Sequence, residues 1–364
     1  MQALAPHLLG LVTAVWLGAA AAAADRLDGT PVVKRIDVAA LAQGREHRFY
    51  LRAGEDGTGD PHLVPVMIAK GVGGGPRLWL SAAVHGDELN GVRVVQRLFD
   101  ELDPSTMRGT VIGLPVVNRP GTERHSRRLP MTAEGAGHSD LNRLMPGTGD
   151  QSDTHAGHRF ARDLWEGVAR GNVDLAIDLH TQTTGATYPL FVFADFREPT
   201  ARRLATLLGP DMIKIDRGAA GSVETTFMER GIPAVTFEIG GPKVFDAPMV
   251  ERALQGLRAV LVDRGVVDGP TPPTPSPAFI GNEQVTVRAV AGGFVEILVR
   301  LGEDLGEGQT VARQLDVFGD VILTYRTPAD GRVLSIATDP VREPGALLVR
   351  LLRNNPEPGC RDGC

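Results

Sequence analysis

Residues 76–268 alternate short apolar runs with amphipathic segments of helical periodicity, and this alternation constrains the fold of the chain most strongly. The apolar runs have strand length and few polar positions, which is typical of strands buried on both faces. They read PRLWLSAAV, GTVIGLPVV, VDLAIDL, YPLFVFA and PAVTFEIG. Helices are predicted between them at 90–102, 155–169 and 248–262. The pattern predicts a layered α/β domain with a largely parallel sheet.

The sequence changes character on both sides of this region. Residues 31–64 are polar and irregular, with HRFYLRA as a candidate edge strand. The stretch GPTPPTPSP begins a semi-rigid linker at 269–278, and short strands with glycine-containing turns follow it. We therefore predict an α/β domain at 25–268, a small all-β domain at 279–353 and a flexible tail at 354–364.

The N-terminal segment predicts export. Residues 8–24 read LLGLVTAVWLGAAAAAA without a charge, and Asp25 and Arg26 follow at once. Ala22 and Ala24 occupy the positions that a signal peptidase reads. A membrane anchor is the alternative, but the run is short and its alanine-rich half inserts poorly. We expect a signal peptide at 1–24, a periplasmic or secreted protein, and no stable membrane anchor after cleavage.

Composition excludes some partners. The chain of 364 residues has a formal net charge of -6 and no long basic run, so nucleic acid is not an expected partner.

The two cysteines, Cys360 and Cys364, lie in a polar tail. An exported protein can oxidise them to a local loop or pair them between chains, and an unstructured tail is the simpler alternative.

His85 and Glu88 follow the first apolar strand directly, in the segment VHGDELNG. Ligands of open α/β sheets collect at the carboxyl ends of strands, so a site is expected here. One helical turn brings residues three apart to the same face, and an imidazole with a carboxylate makes two ligands of a catalytic zinc site. The alternative is a helix N-cap cluster, in which the helix dipole favours the acidic side chains.

His180 supplies the third ligand in this prediction. It directly follows the strand predicted at 174–179, and two strand-end histidines with a glutamate are harder to attribute to chance than one. Three protein ligands and one zinc ion per chain are typical of a catalytic site. Asp178 shares the strand face of His180, so it either orients a ligand or only caps the end of the sheet, and both alternatives stay open.

Glu238 is the predicted general base. It stands in the apolar strand AVTFEIG, and a buried carboxylate is costly unless it is paired or functional. Arginine-rich loops follow the second predicted strand and can supply carboxylate or carbonyl recognition. The other histidines, among them His125, His138, His155 and His158, lack an acidic partner at ligand spacing and are predicted to be surface residues.

Four motifs in order resemble the succinylglutamate desuccinylase/aspartoacylase family of the zinc carboxypeptidase clan. They are HGDELNG, DLNR, DLHT and TFEIGG. The resemblance implies a three-layer, zinc-carboxypeptidase-like domain with a mostly parallel mixed sheet and a small C-terminal barrel-like module. It also implies hydrolysis of an N-acyl amino acid by a zinc-promoted water.

The same resemblance assigns roles to matching positions. Glu238 would be the base and later the proton donor, and Arg127 would polarise the scissile carbonyl. Asn142 and Arg143 would hold the substrate carboxylate. The longer segment at 131–139 departs from the family pattern near Arg127. Aspartoacylases place a tyrosine and an arginine shortly before the catalytic glutamate, and residues 221–230 of this chain have no counterpart of either. Glu224 lies in this stretch, and it would favour a cationic substrate group if it points inward.

The C-terminal module resembles lipoyl and biotinyl carriers, but the last lysine of the chain is Lys243, so the module has no lysine to modify. We expect it to shape the active-site rim or an oligomer contact, which leaves a homo-oligomer open. The expected partner is a small N-acyl amino acid or a short peptide. An exported carboxypeptidase-like peptidase and a catalytically silent ligand-binding homologue remain the alternative functions.

Overall fold

The computed structural model describes residues 25–131, 138–148, 155–270 and 276–364. The predicted signal peptide at 1–24 and the centre of the predicted linker, residues 271–275, lie outside these ranges. Most of the 131–139 segment that departs from the family pattern lies outside them as well.

One mixed sheet organises the first part of the chain. Its strands, together with the short β8, are β1 (Arg26–Leu27), β2 (Thr30–Val33), β3 (Arg45–Glu55), β4 (Pro61–Lys70), β5 (Arg77–Ala82), β6 (Thr110–Leu114), β7 (Leu175–His180), β8 (Ala186–Thr187), β9 (Leu190–Ala194), β10 (Met212–Ile215), β11 (Ala234–Ile239) and β12 (Phe279–Gly281). All except β8 join in the order β1-β2-β3-β4-β6-β5-β7-β11-β9-β10-β12. The central strands β6, β5, β7 and β11 run parallel, so their carboxyl ends meet at one edge. The five predicted strands are β5, β6, β7, β9 and β11.

Helices cover both faces of this sheet. They are α1 (Asn90–Glu101), α2 (Arg119–Glu123), α3 (Ala156–Leu164), α4 (Pro199–Leu207), α5 (Val223–Met228) and α6 (Ala247–Asp263). Apolar side chains of α1, α4 and α6 fill one core against the sheet, and those of α3 and α5 fill a second core on the other face. Three layers are therefore confirmed. Within the described ranges, no helix combines the length and the apolar character needed to cross a membrane.

The N-terminal strands differ from the sequence prediction. HRFYLRA lies in β3, which pairs with β2 on one side and with β4 on the other, so it is not an edge strand. The polar region 31–64 thus contributes three strands of the main sheet. Only two residues of β3 and four of β4 are fully buried, so both strands keep polar and half-exposed positions that do not form a continuous apolar run.

The C-terminal strands form two antiparallel sheets. They are β13 (Glu283–Arg288), β14 (Gly293–Ile297), β15 (Asp304–Leu305), β16 (Thr310–Leu315), β17 (Val321–Arg326), β18 (Gly331–Ala337), β19 (Val341–Arg342) and β20 (Leu347–Arg353). One sheet has the order β13-β20-β18-β15, and the other has the order β17-β16-β14-β19. In the described chain no strand ladder joins the two sheets, so the predicted barrel is not closed. Alternating burial is visible in a sequence, but closure depends on how edge strands pair.

Strand pairing connects the main sheet region with the C-terminal region. β12 lies within the predicted β domain but pairs with β10 of the main sheet, and β8 pairs with β18. The predicted flexible tail is also packed. Cys360 and Cys364 form a disulfide, and the backbone N–H of Cys364 donates to Asn282 O at 2.8 Å. Arg217 pairs with Asp362 at 2.7 Å, which ties the tail to the loop after β10.

Candidate active site

The loop that follows β5 positions His85 and Glu88 through tight backbone packing. Ala83 adopts a left-handed backbone conformation with φ of 49°, which costs energy for a residue with a side chain. A Cβ added to Gly86 would lie 2.2 Å from the carbonyl carbon of Gly121, so only glycine fits. Within this loop the backbone N–H of Glu88 donates to His85 O at 3.2 Å. The motif therefore fixes the loop before α1 begins.

The remaining motif residues fasten this loop to neighbouring elements. Asp87 Oδ2 accepts hydrogen bonds from the hydroxyl groups of Thr183 and Thr184, at 2.9 and 2.7 Å. Asn90 Nδ2 donates to Ile239 O at 2.7 Å, at the end of β11. A Cβ on Gly91 would lie 2.7 Å from Leu179 Cβ, so this glycine lets α1 pack closely on β7. Each polar residue and glycine of HGDELNG thus has a positional reason.

His85, Glu88 and His180 converge as predicted. His180 ends β7, next to β5, and candidate ligand atoms of the three side chains all lie within 4.8 Å of one another. Glu88 Oε1 lies 2.9 Å from His85 Nδ1, and Glu88 Oε2 lies 2.7 Å from His180 Nδ1. All three residues are buried. Two Nδ1 atoms therefore face one carboxylate in a site shielded from bulk water.

The Nε2 atom of each histidine contacts a further carboxylate, a different one for each ring. His85 Nε2 lies 3.1 Å from Asp140 Oδ1, and His180 Nε2 lies 2.6 Å from Asp178 Oδ2. Ser81 Oγ donates to Asp178 Oδ1 at 2.6 Å and holds that carboxylate in place. Of the two alternatives left open for Asp178, the geometry favours orientation of His180. Asp140 was not predicted, although it opens the DLNR motif.

This arrangement fits a divalent metal ion. A neutral imidazole that donates from Nε2 to a carboxylate leaves a lone pair on Nδ1, and here both Nδ1 atoms face the oxygens of Glu88. Nδ1 of His85 is buried and lies 2.9 Å from Glu88 Oε1, but the two atoms do not meet the geometry of a hydrogen bond. Burial opposes charge on His180, but Asp178 and Glu88 outweigh it and raise its pKa well above the usual value. His85, Glu88 and His180 are the residues that would hold such a cation, and its charge would suit this buried set of donors.

Glu238 lies beside this triad. It pairs with His180 in the parallel register of β11 with β7, and it lines the same cavity. Its Oε2 atom is buried and has no hydrogen-bond partner among the described residues. Burial raises the pKa of Glu238 to about 8; His180 opposes this rise and the Glu88 carboxylate adds to it. Glu238 can therefore hold or release a proton near neutral pH, as a general base and acid requires.

Arg127 reaches the site from the loop after α2. Its Nη1 donates to Glu88 Oε1 at 3.0 Å, and its Nη2 lies 3.5 Å from Asp140 Oδ2. The side chain is 31% exposed, so the guanidinium lies at the cavity wall with access to a ligand. The predicted residue is thus present at the site despite the longer 131–139 segment.

Asn142 and Arg143 occupy a short 3-10 turn, Leu141–Arg143, at the same cavity. Asn142 Oδ1 accepts from the backbone N–H of Val223 at 2.8 Å, which anchors the start of α5. Asn142 Nδ2 lies 3.4 Å from His180 Nε2. Arg143 Nη1 donates to the carbonyl of Asn142 at 2.6 Å and leaves other guanidinium donors available. Asn142 therefore has a structural contact in addition to its predicted role.

The cavity has a volume of about 470 Å³, and some of the residues that line it lie outside the sequence motifs. Arg350 comes from β20 of the C-terminal sheets, and its Nη1 donates to the hydroxyl of Tyr188 at 3.0 Å. Burial raises the pKa of Tyr188 to about 12, so its hydroxyl stays protonated. The C-terminal module therefore contributes to the wall of the cavity. No local sequence signal marks Arg350, since its place depends on how the two parts pack.

Three histidines that were predicted as separate surface residues lie together outside this cavity. His138 Nδ1 is 3.1 Å from His158 Nε2, and the rings of His138 and His155 stack at 3.8 Å between centroids. His138 and His158 are 20 positions apart in the sequence, so no local pattern predicts that they lie close together.

The sequence of the chain is similar to those of known proteins. A family model described as the succinylglutamate desuccinylase/aspartoacylase catalytic domain matches residues 74–263, which is more than half of the chain. The N-alpha-acetyl-L-2,4-diaminobutyric acid deacetylase of Halomonas elongata is 28% identical over 283 residues, covering 74% of this chain and 79% of that protein.

Solved structures show the same fold. The product-bound ectoine utilization protein EutE (DoeB) of Ruegeria pomeroyi aligns with a TM-score of 0.74 at 21% identity, covering 86% of this chain and 98% of that one. A succinylglutamate desuccinylase/aspartoacylase from Rhodobacter sphaeroides aligns with a TM-score of 0.74 at 22% identity, covering 87% and 98%. Since the family model matches more than half of the chain, the chain belongs to the succinylglutamate desuccinylase/aspartoacylase family.

Proposed function

We propose that this protein is a zinc-dependent hydrolase that removes the acyl group from an N-acyl amino acid. The observation that carries the proposal is the buried His85–Glu88–His180 triad beside Glu238 in one cavity. Two imidazoles and one carboxylate are the protein ligands of one common type of catalytic zinc site, in which water takes the remaining coordination position. The similarity to a diaminobutyric acid deacetylase supports amide hydrolysis.

The chain supplies a role for each step of such a reaction. When bound, the metal supplies Lewis acidity, which lowers the pKa of water and polarises a carbonyl. Glu238 takes the proton from the attacking water as the water oxygen bonds to the carbonyl carbon. It then delivers that proton to the amide nitrogen as the carbon–nitrogen bond breaks, so a carboxylic acid and an amine leave.

The arginines can stabilise negative charge on the substrate. Arg127 stands at the triad and can stabilise negative charge that develops on the carbonyl oxygen. Asn142 and Arg143 lie on the adjacent turn, where a guanidinium can pair with the α-carboxylate of the substrate. In this proposal the reacting amide lies between Arg127, Glu238 and the triad.

A substrate panel tests the function. We expect the purified protein to release free amine from N-acetyl amino acids, to lose this activity with a chelator and to regain it with Zn²⁺. Dipeptides with a free N-terminus serve as the comparison, and fluorescamine detects the new amine. Hydrolysis of dipeptides alone would favour the peptidase alternative, and no hydrolysis by a zinc-loaded protein would favour a silent homologue.

We also propose that the protein works outside the cytoplasm, because residues 8–24 have the composition of an export signal. The full-length chain expressed in a Gram-negative host is expected in the periplasmic fraction, with a mature N-terminus at Asp25. Intact-mass measurement of that fraction checks the cleavage site. An uncleaved chain in the cytoplasmic fraction would contradict the proposal.

A further inference from the structure

The carboxylates of the catalytic cavity are not equivalent. Four carboxylates of described residues line it. Glu88 belongs to the ligand triad, Glu238 lies beside it as the base, and Asp216 is paired with the ammonium of Lys214. Glu224 is the fourth, and within the described chain it has no cationic partner. Its charge is therefore left without a function by the proposed mechanism.

Glu224 is held firmly at this position. It is the second residue of α5, whose start is fixed by the side chain of Ser222, which accepts from the N–H of Thr225 at 3.1 Å. The Glu224 side chain is buried, and its Oε2 accepts one hydrogen bond, from Thr236 Oγ1 at 2.6 Å. The second oxygen has no hydrogen-bond partner in the described structure. A buried carboxylate with a single hydrogen bond is costly unless a ligand completes it.

Charge near Glu224 favours a cation as that ligand. Burial raises the pKa of Glu224 to about 8; the Thr236 hydrogen bond opposes this rise, and the negative charges of Asp216 and Asp178 add to it. A positively charged group would relieve both effects at once. The O–H group of a neutral Glu224 could donate to the hydroxyl oxygen of Thr236, the one hydrogen-bond partner of this side chain among the described residues.

The register of β11 places Glu224 at a useful distance from the reaction centre. Thr236 and Glu238 are two residues apart on one strand, so their side chains share a face and lie about 7 Å apart. The carboxylate that bonds to Thr236 is therefore displaced from the base by about the same length. An aliphatic side chain of roughly two to four methylene groups spans this distance.

We propose that Glu224 binds a positively charged substrate group, so that the enzyme prefers N-acyl amino acids whose short side chain ends in an ammonium. This inference rests on the deacylase function proposed above. Three guanidinium groups, those of Arg127, Arg143 and Arg350, line the same cavity and suit the negative end of the substrate. Glu224 then supplies the opposite charge.

Isosteric substrates test the preference directly. N-α-acetyl-L-ornithine and N-α-acetyl-L-2,4-diaminobutyrate carry the ammonium, while N-acetyl-L-norleucine and N-acetyl-L-norvaline have the same length without charge. We expect the wild-type kcat/KM to be about 30-fold or more higher for each cationic compound, as for a buried charge pair. In Glu224→Gln this ratio is expected to fall close to one, because glutamine keeps the shape and removes the charge.

A matched variant and a binding measurement complete the design. Glu229→Gln changes an exposed glutamate at the end of α5 and is expected to keep the wild-type ratio. Calorimetry with the product L-ornithine should show tighter binding to the wild type than to Glu224→Gln, whereas L-norleucine should not separate them. These two readouts distinguish charge recognition from general damage to the fold.

The possible failures are separable. If the wild type hydrolyses neutral or acidic N-acetyl amino acids as well as cationic ones, the inference about Glu224 is overturned and the deacylase function stands. If the zinc-loaded wild type hydrolyses none of these compounds, the deacylase function itself fails. The wild-type ratio is measured without any variant, so the inference can be rejected even if Glu224→Gln does not fold.

Discussion

Glu238→Gln is expected to lower kcat/KM by about 10³-fold while leaving the metal content unchanged, since general acid–base catalysis contributes roughly 10²–10⁴-fold. Glutamine keeps the shape of the side chain but cannot accept the proton of the attacking water. Glu238 lines the cavity beside His180 without being one of the three converging ligands. The measurement pairs steady-state kinetics with metal analysis of the same preparation.

The control for this variant is Glu296→Gln, which changes an exposed glutamate in β14 of the C-terminal sheets. Its kcat/KM is expected to match that of the wild type. The pH profile gives a second readout: the ionisation of the base should be missing from the kcat/KM profile of Glu238→Gln. Turnover within about tenfold of the wild type would be too small a loss for the residue that carries the proton, and Glu238 would be rejected as the base.

The candidate site could be predicted from sequence because its residues lie at the ends of neighbouring strands. His85 follows β5 and His180 ends β7, and parallel strands bring their carboxyl ends to one edge. Glu238 lies one strand further along. A buried apolar run is easy to recognise, and the residue at its end can then be placed without knowledge of any loop.

Other parts of the site depend on contacts that have no local signature. Asp140 meets His85 across 55 residues, and Arg350 reaches Tyr188 across 162. Both pairs form only because loops and the C-terminal sheets fold back over the edge of the main sheet. Sequence periodicity reports which face of an element is buried, but not which distant side chain covers it.

The errors in the fold prediction have the same origin. The polar composition of β3 predicts an edge strand, but β3 is paired on both sides, because half-exposed strands keep a polar composition. Closure of the C-terminal module into a barrel depends on edge pairing, and the structure leaves two separate sheets. β12 was assigned to the β domain by its position after the linker, although it extends the main sheet.

His180→Ala is expected to reduce bound zinc from about one ion per chain to less than about 0.1 and to abolish measurable turnover, since it removes one of three protein ligands. The loss should exceed that for a residue behind the ligands: Asp178→Asn keeps all three donors and is expected to weaken metal affinity by about 10–100-fold. Inductively coupled plasma mass spectrometry on dialysed protein measures the zinc content, and competition with a chromophoric chelator measures the affinity.

A surface variant separates ligand loss from a general effect of removing histidine. His125→Asn changes an exposed histidine outside the triad, and asparagine tolerates the left-handed backbone conformation found there. Its zinc content and activity are expected to match the wild type. His180→Ala removes the imidazole that contacts the carboxylates of both Glu88 and Asp178, so circular dichroism must first show that the variant is folded. A folded His180→Ala protein that keeps a full equivalent of zinc would overturn the triad as the metal site, because two remaining donors cannot supply the three-ligand geometry on which the mechanism depends.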